Sequence, residues 1–129
     1  MSDEEGLLGV LDAFCAGFAT RDPDAVMAVV TLGPELRVVT SEEALLRGDG
    51  ELRAFLDGYA NGPTTYSWEW KRCEARASRE VGWVLAEGTE TAARENSKER
   101  HSYRMTLVCE KRDGRWLVVQ AHGSTPLGS

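Results

Sequence analysis

Four long runs rich in aromatic and β-branched residues fill the second half of the chain, and they constrain the fold more than any other feature. They span residues 64–77, 81–94, 102–112 and 115–123. Such runs, punctuated by turn residues, are antiparallel strands. Asp113-Gly114 between the last two is a hairpin turn that needs positive φ at both positions. The polar stretch 95–100 predicts a connecting loop.

The first half carries a helical period instead. Ser2 and Glu5 form a capping box, and Leu7, Leu11, Phe14, Cys15 and Phe18 make one apolar stripe ending near Thr20. Asp22-Pro23 restarts a helix whose buried side is Val26, Val29 and Val30, and Gly33-Pro34 stops it. Leu36 to Thr40 is a short β-rich run. Gly48-Asp49-Gly50 opens a third helix with Leu52, Phe55, Leu56 and Tyr59 on one face, and Asn61-Gly62-Pro63 ends it. Helices first and a meander afterwards predict an α+β fold in one domain, 1–129.

Bulk properties exclude several functions. The net charge of −6 argues against a nucleic-acid partner. Residues 1–62 hold twelve acids and four bases against nine and eleven in 63–129, so the excess belongs to a solvated helix surface. No apolar run is long enough to span a membrane. The acidic start Met1-Ser2-Asp3-Glu4-Glu5 is unlike a signal peptide and predicts a cytoplasmic protein. Cys15, Cys73 and Cys109 lack a C-x-x-C pair and read as reduced thiols. His101 and His122 have no second soft ligand at a metal-binding spacing, and no phosphate-binding or dinucleotide fingerprint is present. The expectation is neither metal nor cofactor.

Register places the candidate site. With Asp113-Gly114 as turn, Lys111 faces Trp116, Cys109 faces Val118, Leu107 faces Gln120 and Met105 faces His122. These pairs share one face, apolar near the turn and polar at Gln120 and His122. The other face, with Arg104, Thr106, Val108, Leu117, Val119 and Ala121, is also largely apolar and needs its own cover. A turn at Ser78-Arg79 sets Trp83 opposite Glu74, Leu85 opposite Arg72, Glu87 opposite Trp70 and Thr89 opposite Trp68. One bulge would flip every assignment beyond it.

The C-terminal string from Tyr103 to Pro126, with its Arg-Asp-Gly-Arg-Trp turn leading to His122 and Ser124, resembles the last hairpin of SnoaL-like proteins of the nuclear transport factor 2-like superfamily. It is similar also to the association domain of calcium/calmodulin-dependent protein kinases. Val81-Gly82-Trp83-Val84 and the helix-Asp22-Pro23-helix entry carry the same resemblance, which covers nearly the whole chain. It implies a cone-shaped α+β barrel. The N-terminal helices would pack on the concave face of a strongly curved, mainly antiparallel sheet. A ligand cavity would lie between them, and a homodimer would form through the convex face. Positions that carry pocket arginines in the kinase domain are Leu85 and Leu107 here. No residue matches by motif the acidic base of related isomerases and cyclases, or the His–Asp pair of related dehydratases.

The candidates follow from these two lines. His122, near Ser124, is the first choice for proton shuttling, and Glu87 beside Trp70 is the second. Structural alternatives are a hydrogen-bonded core histidine and an ion pair of Glu87 with Arg72. Trp68, Trp70 and Trp83 suit a flat apolar ligand, while Trp116 reads as core. Phe55, Tyr59, Tyr66, Leu85, Tyr103, Leu107, Gln120 and Ser124 complete the expected lining. Arg104 and Thr106 fall on the dimer side. The leading expectation is a homodimer binding a small apolar or aromatic molecule. The alternatives are a cofactor-independent isomerase, cyclase or dehydratase acting on an apolar carbonyl compound, and a non-catalytic accessory module.

Overall fold

The computed structural model describes residues 2–42 and 44–127. Helix α1 runs over Asp3–Ala19 and is capped as its sequence requires, with Ser2 and Glu5 bonding each other's backbone. Its stripe of Leu7, Val10, Leu11, Phe14 and Phe18 is buried against the sheet. Helix α2, Pro23–Met27, starts on the Asp22 cap. It is shorter than the valine pattern suggests. Val29 and Val30 leave the helix, and Val30 makes a parallel bridge to Val118, which takes them into the core edge as extended chain. Gly17 lets α2 approach α1, because a Cβ there would sit 2.6 Å from a Val26 methyl.

The short run after α2 is strand β1, Arg37–Val39, and an unanticipated partner follows, β2, Leu45–Arg47. Helix α3, Gly48–Ala60, buries Leu52 and Leu56. Then come β3, Thr65–Ser78, β4, Val81–Arg94, β5, Ser97–Arg112, and β6, Arg115–Ser124. The six strands form one open, curved sheet in the order β2-β1-β6-β5-β4-β3. Only β1 against β6 is parallel. The helices cover the concave face, giving the expected α+β cone without closing it into a barrel.

Three features of the sheet correct the sequence reading. First, the polar stretch 95–100 is not a loop. Strand β4 pairs with β5 as far as Arg94–Ser97, so residues 97–100 belong to the strand and Glu90 pairs with His101. Second, the β5–β6 register matches expectation from Arg112–Arg115 to Cys109–Val118 and then shifts by one residue. Beyond the bulge, Leu107 faces Ala121, Met105 faces Gly123, Thr106 faces His122 and Arg104 faces Ser124. Gln120, His122 and Ser124 therefore turn to the outer face, where all are exposed. Third, the β3–β4 turn is Arg79-Glu80, with Arg79 at φ 58°, so Trp83 faces Arg76, Leu85 faces Glu74 and Glu87 faces Arg72. Trp83, Leu85 and Glu87 lie on the outer face. A bulge at Lys71 then brings Trp70 opposite Gly88 and Trp68 opposite Glu90. Gly88 is required there, since a Cβ would lie 2.8 Å from Trp70 Cα and closer still to the Glu69 carbonyl. The Asp113-Gly114 turn is as expected, with φ of 50° and 79°.

Candidate functional site

The concave face changes character along β4 and β5. Its paired rungs read Val84–Leu107, Ala86–Met105, Gly88–Tyr103, Glu90–His101, Ala92–Glu99 and Arg94–Ser97. The inner rungs are covered by α1 and build the core. The outer rungs are polar and border a groove. The transition falls at Glu90 and His101.

A cavity opens inside this transition. Phe14 and Phe18 of α1, Phe55 and Tyr59 of α3, and Tyr66, Trp68 and Tyr103 of the sheet wall it, with Ala121 and Gly123 on its β6 side. The aromatic rings contact one another: Phe18 meets Trp68 edge-on at 5.8 Å, and Trp68 lies 6.1 Å from Tyr103. Trp70 stacks parallel on Trp68 at 6.4 Å, one layer behind the wall. The cavity measures about 70 Å³. At ~10–15 Å³ for one water, that is room for about five to seven waters.

Glu90 is the polar centre of this space. It is 3% exposed and lines the cavity. Trp68 Nε1 donates to Oε2 at 3.0 Å, and His101 Nε2 lies 2.8 Å from Oε1. Burial pushes the carboxyl pKa up from its ordinary value, while the His101 and Trp68 contacts pull the other way. His101 is partly exposed and faces the polar groove, so the pair links the cavity to solvent.

The other hydroxyls divide into committed and available. Tyr59 donates to the Phe18 carbonyl at 2.7 Å and accepts the Tyr66 backbone N–H at 2.8 Å. Tyr66 donates to the Glu42 carboxylate. Tyr103 is 5% exposed, and among the described residues its hydroxyl makes one long contact, donating to Ser41 Oγ at 3.5 Å. Burial pushes its pKa up to about 12, so it is held as a neutral donor at the cavity wall.

Of the residues proposed from sequence, Phe55, Tyr59, Tyr66, Trp68 and Tyr103 meet at this cavity. His122 borders it along β6 but is itself exposed, and the bulge turns its side chain outward. Leu107 faces inward as expected and is fully buried in the core behind the cavity. Trp83, Leu85, Gln120 and Ser124 are on the outer face. Glu87 is there too, 3.3 Å from Arg104 and 3.9 Å from Arg72, which removes it from the concave side. Cys15 and Cys109 are thiols pushed by burial up to about 12, as suits packing residues. Glu90 and His101 escaped the sequence reading. The only signal was Glu95-Asn96, a two-residue turn that would have paired them.

The SnoaL-like domain model matches residues 7–128. The chain belongs to the SnoaL-like domain family. No curated protein matches this SnoaL-like sequence significantly. A candidate dehydratase of the nuclear transport factor 2-like family from Streptomyces avermitilis superposes with a TM-score of 0.87 at 14% identity, over 98% of this chain and 97% of that one. A nuclear transport factor 2-like superfamily protein from Salmonella enterica serovar Typhimurium gives 0.85 at 13%, over 98% and 92%. A candidate calcium/calmodulin-dependent kinase II association domain from Exiguobacterium sibiricum gives 0.77 at 11%, over 100% and 97%. At these identities the likeness is one of fold. No helix among the described residues is long and apolar enough to cross a membrane.

Proposed function

We propose that this SnoaL-like protein binds a small, flat, mainly apolar carbonyl compound and moves a proton on it without a cofactor. One observation carries the reading: a buried carboxylate, Glu90, and an almost unengaged buried hydroxyl, Tyr103, line the same aromatic cavity. A carboxylate freed of water and raised in pKa is a competent base near neutral pH. Glu90 takes a proton from the carbon next to the ligand carbonyl. The C–H electron pair moves into the new C=C bond, and the carbonyl π pair moves onto oxygen, where the Tyr103 hydroxyl donates a hydrogen bond. Return of the proton to another carbon gives an isomer. Loss of a β-hydroxyl as water gives a dehydration product. Trp68 and His101 hold the carboxylate in place. The candidate dehydratase among the structural neighbours is consistent with the second outcome.

The test uses a simple probe. Cyclohexanone in deuterated buffer should exchange its α-protons faster with the protein than without it, followed by proton NMR. Glu90→Gln should lower the protein-dependent rate by roughly a hundredfold or more, and Tyr103→Phe should lower it less. Exchange by the folded wild-type protein no faster than by Glu90→Gln would sink the reading.

The outer sheet face favours a homodimer. Val81 and Trp83 are 45% and 44% exposed there, next to Leu85 and Val108. A second copy of the same face covers such a patch by twofold symmetry.

A further inference from the structure

Two cavities meet at Glu90. On its inner side is the aromatic cavity. On its outer side is a groove of about 400 Å³, bordered by Thr64, Arg94, Ser97, Glu99, His101 and Thr125. Ser41, Glu42, Tyr66 and Glu90 line both spaces, so they form the wall between them. Within that wall Glu90 is fixed by Trp68 and His101. The remaining closure is the hydrogen bond from the Tyr66 hydroxyl to the Glu42 carboxylate.

The two partners of that bond are held very differently. The Tyr66 ring stacks on Tyr59 at 5.9 Å and 23°, and its backbone N–H is bonded to the Tyr59 hydroxyl. Tyr59 is anchored in turn to the Phe18 carbonyl. Glu42 is exposed, and among the described residues its carboxylate is bonded to Tyr66. The ring is therefore the fixed post of the partition and the glutamate its movable half.

We propose that the Tyr66–Glu42 pair determines ligand length. This rests on the aromatic cavity being the ligand site. With the pair joined, the space is confined to the aromatic end, about 70 Å³, which favours the shorter and more compact of two ligands. A ring carrying a short arm needs Glu42 displaced. The arm then enters a groove lined by hydroxyls and charges, so its end must itself be a hydrogen-bonding group. The substrate class selected by the joined pair is a compact ring compound, and an armed ring compound is discriminated against at this one contact. Nothing in the proton transfer requires either residue, since Glu90 and Tyr103 supply the base and the donor.

Two probes separate the cases: phenol, a ring with a hydroxyl, and phenylpropanol, a ring with a hydroxyl on a three-carbon arm. Both are titrated calorimetrically into the wild-type protein, Glu42→Ala and Tyr66→Phe. Each substitution removes the bond, the first at an exposed position and the second while keeping the stacked ring. Wild type should prefer phenol. Glu42→Ala should shift the affinity ratio toward phenylpropanol by about tenfold, equivalent to about 1.4 kcal/mol, with Tyr66→Phe shifting it the same way. Equal binding of the two probes by wild type, or a ratio unmoved in both variants, overturns the partition. Failure of phenol to bind wild type at all overturns instead the reading of the cavity as a ligand site.

Discussion

Glu90 and His101 stand directly opposite each other across the β4–β5 ladder, with 2.8 Å between Oε1 and Nε2. The carboxylate is buried while the imidazole reaches the solvent side. The folded chain raises the Glu90 pKa above its ordinary 4.5. Between that value and the raised one, the native state keeps a proton that the unfolded chain has released. Native stability therefore falls as pH rises through this window. Glu90→Gln cannot titrate and lacks that slope. Thermal unfolding midpoints taken from pH 4 upward should show wild type losing ground steadily to Glu90→Gln. Parallel curves would mean that Glu90 ionises in the fold as easily as in water.

The outline of the fold was legible because its signals are local and periodic. The α1 stripe, the Ser2 cap, the Asp22-Pro23 entry and the Asp113-Gly114 turn each specify a conformation within a few residues. The site was legible only in its aromatic half, for residues such as Tyr66 and Trp68. Its polar half depends on parity, which accumulates along a strand. The bulge opposite Val108 and Cys109 moved Gln120, His122 and Ser124 outward. The turn at Arg79-Glu80 leaves Glu87 opposite Arg72 on the outer face, and the bulge at Lys71 turns Trp68 and Trp70 to the inner face, where Trp68 stands opposite Glu90. A bulge costs little in sequence pattern and reverses every later side chain. His101 was hidden differently: Glu-Asn-Ser-Lys-Glu-Arg is a polar run that composition assigns to a loop, and here it forms the end of a projecting hairpin.

Arg21 should prove a structural keystone rather than a ligand group. Its Nη2 donates to the carbonyls of Tyr59, at 3.0 Å, Ala60, at 2.9 Å, and Gly62. These are end carbonyls of α3 and the turn after it, which lack helical donors of their own. Arg21→Ala should cost about 2 kcal/mol in denaturant unfolding, on the scale of charge-assisted hydrogen bonds. Arg21→Lys should recover little of it, because an ammonium cannot reproduce the guanidinium fork. Full recovery with lysine would reduce the role to bare charge.

The outer face is where assembly should fail on mutation. Trp83→Glu places a carboxylate at the middle of the apolar patch, close to Val108 and Leu85. In a twofold interface the change appears twice and brings two like charges together. Light scattering at micromolar concentration should show a dimer for wild type and a monomer for Trp83→Glu, with the monomer's circular dichroism unchanged. A wild-type monomer would leave the exposed indole without the proposed partner.

Gly123, on the β6 side of the cavity, should control the position of the Tyr103 hydroxyl. A Cβ at position 123 would overlap that hydroxyl and lie 2.7 Å from Tyr103 Cζ and 3.0 Å from Cε2. The backbone there is ordinary strand, so the penalty of Gly123→Ala is steric and falls on the tyrosine. The ring must rotate or retreat, carrying its hydroxyl from the cavity wall. Gly123→Ala should therefore lose both stability, by about 1–3 kcal/mol as for an overpacked core, and the Tyr103-dependent part of probe exchange. The double variant Gly123→Ala with Tyr103→Phe removes the overlapping oxygen. It should regain part of the stability and none of the exchange. The two substitutions would then be non-additive both in unfolding free energy and in rate. If Gly123→Ala alone exchanges cyclohexanone as fast as wild type, the Tyr103 hydroxyl is not the group that holds the ligand oxygen.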